Sequence, residues 1–125
     1  MKYKVVERKN PQSPQAQGKF YANPVNAGKF TIKEFSKEIA GRSSLTRGDI
    51  ENVLTNFLEE LPIFLKLGLS VQLGNFGTLR LSLASDGADT PEKFRADMIK
   101  GARVIFTPAV ELKEALKDIS YEEAK

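Results

Sequence analysis

The chain contains no cysteine, histidine or tryptophan, and none of its apolar runs is long enough to cross a membrane. Without cysteine it cannot form disulfides, iron–sulfur clusters or thiolate zinc sites. Without histidine it lacks the commonest metal ligand and the usual general base. The first residues also lack the pattern of a signal peptide. We therefore expect a cytoplasmic protein that is not an enzyme, needs no cofactor, holds no metal and does not enter a membrane.

Acidic residues are scarce at the N-terminus. Residues 1 to 30 carry six lysines and arginines against Glu7 alone, whereas residues 31 to 125 carry thirteen basic and fifteen acidic residues. The net charge of +3 therefore comes from the N-terminal segment. Such an excess is weak evidence for a phosphate-binding surface. The alternative is a solvated positive edge that discourages strands of different molecules from pairing.

The N-terminal segment has the composition of a β-hairpin. Residues 3 to 9 and 19 to 22 are rich in strand-forming side chains, and residues 10 to 18 between them are rich in proline and glutamine. We expect two added strands joined by a flexible loop.

Two capping patterns predict a helical hairpin. Thr31 with Glu34 opens a first helix that Gly41 ends, and Thr46 opens a longer second helix that Gly68 ends. Pro62 removes a backbone donor from the second helix and should kink it.

The second helix has a wide apolar face, formed by Ile50, Val53, Leu54, Phe57, Leu58, Leu61 and Leu65. A fold of this size has little surface with which to cover that face. We therefore expect a homodimer whose second helices pack across a two-fold axis. The alternative is a monomer in which the N-terminal strands cover the helix.

Residues 71 to 83 organise the rest of the chain. Two alternating runs meet at Gly74 and Asn75, which predicts a strand, a tight turn and a second strand. In the second run Leu79, Leu81 and Leu83 share one face, and Thr78, Arg80 and Ser82 share the other. By itself the pattern fits equally well a plain hairpin in a small α+β core.

The C-terminal third predicts one more strand and one more helix. Residues 84 to 100 are polar and turn-rich, with a short helix at Thr90 and Pro91. Residues 102 to 106 form a strand that Pro108 ends, and residues 110 to 118 form a closing helix. The tail after Ser120 is expected to be frayed.

Two motifs give the chain a family resemblance. The sequence Gly-Asn-Phe-Gly-Thr at residues 74 to 78, followed about thirty residues later by Phe-Thr-Pro at residues 106 to 108, resembles the HU/integration-host-factor family of bacterial histone-like proteins. The resemblance covers residues 30 to 119 and is closest to the HU-HIG branch, which has an additional N-terminal segment.

The resemblance implies an α+β, HU/IHF-like fold. Such a fold has a helical hairpin, a three-stranded antiparallel sheet and a C-terminal helix, here with extra N-terminal strands. It divides the chain into a basic extension at residues 1 to 29, an HU-like DNA-binding domain at residues 30 to 119 and a tail at residues 120 to 125.

The resemblance also implies a function. Members of the family are dimers that bind double-stranded DNA on a saddle-shaped sheet and bend it with two arms in the minor groove. We therefore expect an architectural, nucleoid-associated protein that binds DNA largely without sequence preference and has no small-molecule substrate.

Two departures weaken this expectation. The basic Arg-Asn-Pro-x-Thr-Gly arm tip is missing, because residues 84 to 100 carry three basic residues against four acidic ones. Pro108, Ala109 and Val110 stand where the family has Pro-Gly-Lys. The alternative is a structural or protein-interaction module that kept the scaffold and lost most of its DNA affinity.

Nine residues are candidates for DNA contact because they are basic or begin a helix: Arg80, Arg103, Lys113, Lys117, Thr31, Lys33, Lys4, Arg8 and Lys9. Alternatively, Arg80 and Arg103 only neutralise acidic neighbours. Lys113 and Lys117 could likewise be the solvated face of an amphipathic helix.

Overall fold

The computed structural model describes all 125 residues and contains two compact units. The N-terminal unit comprises Met1–Phe30 together with Leu116–Lys125, and the central unit comprises Thr31–Ala115. In chain order the elements are β1 (Lys2–Arg8), β2 (Lys19–Pro24), α1 (Ile32–Ala40), α2 (Arg47–Lys66), β3 (Val71–Gln72), β4 (Gly77–Ser85), β5 (Ile99–Pro108), α3 (Val110–Ala115) and β6 (Glu122–Glu123).

The central unit begins with the predicted helical hairpin. The backbone N–H of Glu34 donates to the Thr31 hydroxyl at 3.3 Å, and that of Asp49 donates to the Thr46 hydroxyl at 3.1 Å. These bonds satisfy donors that the first turn of a helix leaves without partners. α2 continues through Pro62 to Lys66, and the kink there stays a prediction.

The central sheet has the order β3-β4-β5, and all its strands are antiparallel. α2 packs against α1, β3 and β4. β5 begins at Ile99, three residues earlier than predicted, because it pairs along the whole of β4, with an irregularity between Ala84 and Ser85.

The core of the single chain is small. Ile50 and Leu65 of α2 are only 4% and 7% exposed, and Ser36 is fully buried with its hydroxyl donating to the Ile32 carbonyl at 2.7 Å. Further along the apolar face of α2, Val53 is 61% and Phe57 45% exposed. This face is therefore only partly covered in the single chain.

The N-terminal unit has its own sheet, in the order β2-β1-β6. β1 and β2 form the predicted antiparallel hairpin, with Tyr3 opposite Pro24 and Arg8 opposite Lys19. The loop between them contains two turns, in which Ser13 N–H donates to the Asn10 carbonyl and Ala16 N–H to the Ser13 carbonyl, both at 3.0 Å.

Two expectations about the C-terminus are wrong. The tail after Ser120 is not frayed, because Glu122 N–H donates to the Met1 carbonyl at 3.1 Å and Ala124 N–H to the Tyr3 carbonyl at 2.8 Å. These bonds pair β6 in parallel with β1. The closing helix ends at Ala115 instead of residue 118, and the residues that follow belong to the N-terminal unit. No helix of the protein has the length and apolar character needed to cross a membrane.

Candidate nucleic-acid interface

The pairing of β4 with β5 gathers the candidate arginines of the sheet on one surface. Arg80 lies opposite Ile105, and Ser82 lies opposite Arg103. Directly opposed residues of an antiparallel pair share a face, and so do residues two positions apart on one strand. Arg80 and Arg103 are therefore diagonal neighbours on the same side of the sheet. We call this surface the arginine face; its members are Arg80, Arg103, Thr78, Ser82, Ile105 and Thr107.

The opposite side of the same two strands is apolar. Leu79 lies opposite Phe106 and Leu81 opposite Val104. The rings of Phe76 and Phe106 are 5.1 Å apart between centroids. The predicted alternation is thus present, and it turns the arginines to the side away from the leucines.

Two glycines shape the turn that starts β4. Gly74 has a φ of +56°, a conformation that glycine adopts without steric cost. A β-carbon on Gly77 would lie 2.5 Å from the Thr107 carbonyl oxygen, so only glycine allows β5 to approach this closely. Leu73 N–H donates to the Gly77 carbonyl at 2.8 Å and closes the turn. Gly74 and the Leu73–Gly77 bond set the turn from β3 into β4, and Gly77 allows β5 to lie close to the start of β4.

Both arginines of this face are exposed and have no acidic partner. Arg95 differs, because its Nε lies 3.4 Å from a carboxylate oxygen of Asp97. The structure therefore gives no support to the alternative in which Arg80 and Arg103 neutralise acidic neighbours. Their guanidinium groups can donate to an anion.

The segment between β4 and β5 neutralises much of its own charge. Lys100 Nζ lies 3.0 Å from an Asp86 carboxylate oxygen, and Asp86 N–H donates to the Met98 carbonyl at 2.9 Å. The helix expected at Thr90 and Pro91 is a single 3-10 turn at Pro91–Lys93. Two of the three cations in residues 84 to 100 are thus paired within the segment.

The other candidates of the central unit lie outside the arginine face. Lys113 is exposed on α3, and Lys33 is exposed on α1. The Thr31 hydroxyl already accepts the hydrogen bond that caps α1. Lys117 lies in a turn beyond the end of α3 and belongs to the N-terminal unit, so the alternative in which Lys113 and Lys117 form the solvated face of one helix does not hold.

Three of the four candidates of the N-terminal unit lie on or next to β1. Lys4 and Arg8 point to the same side of this strand. Arg8 Nη2 donates to Asn23 Oδ1 at 2.6 Å, and its guanidinium carbon lies 5.5 Å from the centre of the Tyr21 ring. Lys9 follows the strand. The candidates did not include Lys19, which lies opposite Arg8 and which only the hairpin register could have revealed.

The chain and its fold were compared with known proteins. No curated protein matches the chain. A solved structure titled "Putative bacterial DNA binding protein", from Bacteroides vulgatus, matches 98% of this chain and 47% of its own with a TM-score of 0.60 and 17% identity. The chain thus spans about half the length of that protein, and at this identity the likeness is one of fold.

A family model identifies the class of domain to which this fold belongs. The family model for HU-HIG, described as an HU domain fused to wHTH, Ig or a glycine-rich motif, matches residues 1–123. The chain belongs to the HU-HIG family. This confirms both the resemblance and the mixed α+β fold expected from the sequence.

Proposed function

We propose that the chain is an architectural protein of the bacterial nucleoid that binds double-stranded DNA as a homodimer and largely without sequence preference. The observation that carries this proposal is the arginine face, on which two unpaired guanidinium groups share one side of an HU-type sheet. Phosphate contacts by arginine and lysine supply the sequence-independent part of DNA affinity.

The exposed side of α2 supports a dimer. Val53, Phe57 and Phe64 are apolar, lie along one helix and are 44% to 61% exposed in the single chain. Burial of apolar surface contributes about 25 cal/mol per Å². A second copy that covered these side chains would stabilise the fold and place two arginine faces on one particle.

One observation favours a second candidate function. The central unit carries eleven basic residues against twelve acidic ones, a net charge of −1, and its β4–β5 segment is largely self-neutralised. A protein-interaction module that uses the HU-like scaffold without DNA would have this charge. Such a module would bind duplex weakly or not at all even at low salt.

The test is a fluorescence anisotropy titration of the full-length chain with a random-sequence duplex at several salt concentrations. A plot of log K against log salt has a negative slope, and the magnitude of that slope decreases by about 0.9 for each phosphate contact that is removed. The double variant Arg80→Gln with Arg103→Gln should therefore reduce the slope by about 1.8 for each chain that touches DNA.

The matched control is Arg42→Gln with Arg47→Gln, which removes the same charge from the same unit at exposed positions outside the arginine face. Its slope should stay close to that of the unaltered protein. Equal slopes for the two double variants would contradict the assigned interface. Failure of the unaltered chain to bind at low salt would favour the interaction module.

A further inference from the structure

We propose that the N-terminal unit carries its own site for the phosphodiester backbone of nucleic acid, in a groove lined by Arg8, Lys9 and Lys19. We call it the basic groove. Its ligand is the DNA of the proposed function, on which this inference therefore rests. It adds a second place where the chain holds that DNA, outside the HU-like sheet.

The basic groove lies where the β1–β2 hairpin opens into its loop. It is an open depression of about 660 Å³. Arg8 and Lys19 line it as opposed residues of the two strands, and Lys9 follows directly after β1. The loop adds the polar side chains of Asn10, Ser13 and Gln17. The two hydrogen-bonded turns of this loop, at Asn10–Ser13 and Ser13–Ala16, fix one wall of the groove.

The cations of the groove form no salt bridge, and the acidic side chain beside them is Glu7, which a β-carbon on Gly18 would meet together with Lys9. Glu7 is not among the residues that line the groove. The N-terminal unit as a whole carries eight basic residues against four acidic ones, a net charge of +4, whereas the central unit has a net charge of −1. The positive potential of the protein is therefore concentrated in the unit that contains the groove.

Arg8 is held in place before any ligand arrives. Its bond to Asn23 Oδ1 and its position over the Tyr21 ring fix the side chain across the face of the hairpin. A guanidinium has five N–H donors, and the contact with Asn23 uses one of its nitrogens. Binding an anion then costs less side-chain entropy than it would for a free arginine.

The lining residues select the class of ligand. Lysine, arginine, serine, asparagine, glutamine and tyrosine side chains are those that contact phosphate oxygens and sugars in protein–DNA complexes. Small-molecule pockets are mostly apolar and enclosed. An open groove lined by three cations and by amide and hydroxyl groups fits an extended chain of phosphates.

The experiment compares two double variants of the full-length chain in the duplex titration. Lys9→Gln with Lys19→Gln removes two groove cations and leaves the anchored Arg8. Lys2→Gln with Lys29→Gln is the control, because it removes the same charge from exposed positions of the same unit outside the groove. Circular dichroism and thermal unfolding establish that both variants fold.

The groove variant should lower the slope of log K against log salt by about 1.8 for each groove that binds, and the control should leave the slope nearly unchanged. A second arm replaces DNA with inorganic phosphate alone and follows the amide resonances of residues 8 to 19. Saturable shifts with phosphate, together with an unchanged DNA slope in the groove variant, would identify a free-anion site and overturn the proposal.

The outcomes separate this inference from the proposed function. If the unaltered chain binds duplex and the groove variant behaves like its control, the groove proposal fails while the proposed function stands. If the unaltered chain binds no duplex at low salt, both fail. A reduced slope in the groove variant alone supports a backbone site in the N-terminal unit.

Discussion

Gly77 is the position at which the structure predicts the largest effect of a single methyl group. A β-carbon there would lie 2.5 Å from the Thr107 carbonyl oxygen and 2.6 Å from Cε1 of Phe106. Neither neighbour can move easily, because the first is backbone of β5 and the second belongs to a ring packed against Phe76. Gly77→Ala should therefore force β4 and β5 apart at the start of the hairpin.

The cost has two parts. Overpacking of this kind typically costs about 1 to 3 kcal/mol. The φ of +157° at Gly77 is rarely adopted by residues with a side chain and adds about 1 kcal/mol. We expect the free energy of unfolding to fall by about 2 to 4 kcal/mol, which lowers the Tm of a unit of this size by roughly 8 °C or more.

The assay is urea unfolding followed by circular dichroism, at one protein concentration because association shifts apparent stability. Gly48→Ala is the control: this glycine lies in α2, and a β-carbon there would meet nothing within 4 Å. That change should raise stability by about 0.5 to 1 kcal/mol. A Gly77→Ala chain within about 0.5 kcal/mol of the unaltered protein would refute the close approach.

Three further predictions concern other parts of the central unit. Thr46→Ala should cost about 1 kcal/mol in urea unfolding, because it removes the hydroxyl that caps α2; no change would mean that the cap is dispensable. Phe57→Glu should shift the protein to a lighter species in sedimentation velocity, since it puts a charge on the exposed side of α2; an unchanged mass would argue against that dimer surface. Lys100→Ala should cost less than about 1 kcal/mol, because this lysine and Asp86 are 65% and 59% exposed; a larger loss would mean that the pair holds the segment closed.

Helix caps and strand faces could be predicted from the sequence, because they depend on residues that are close together in the chain. Thr31 and Thr46 cap their helices as expected, because each hydroxyl reaches an N–H only three residues away. The alternation in β4 gave the correct sides for Arg80 and the leucines. Arg103 lies next to Arg80 because of the register between β4 and β5. The alternation within one strand does not determine that register.

The pairing of strands far apart in the chain could not be predicted from the sequence. β6 is a strand of two glutamates with no apolar alternation, and it pairs in parallel with residues about 120 positions away. No local pattern predicts such a bond. The same holds for α3, whose apolar spacing continues past Ala115 although the chain leaves the helix there. Lys19 was missed for a similar reason, because the hairpin register alone places it opposite Arg8.

We propose above that the chain binds duplex DNA as an HU-like dimer. The most direct measurement is sedimentation velocity of the full-length chain with a short random-sequence duplex, repeated at increasing salt. We expect a complex of two chains per duplex that dissociates steeply as salt rises. An unrelated duplex of equal length should compete for the protein equally well. Free DNA beside free protein at low salt and micromolar concentration would contradict it.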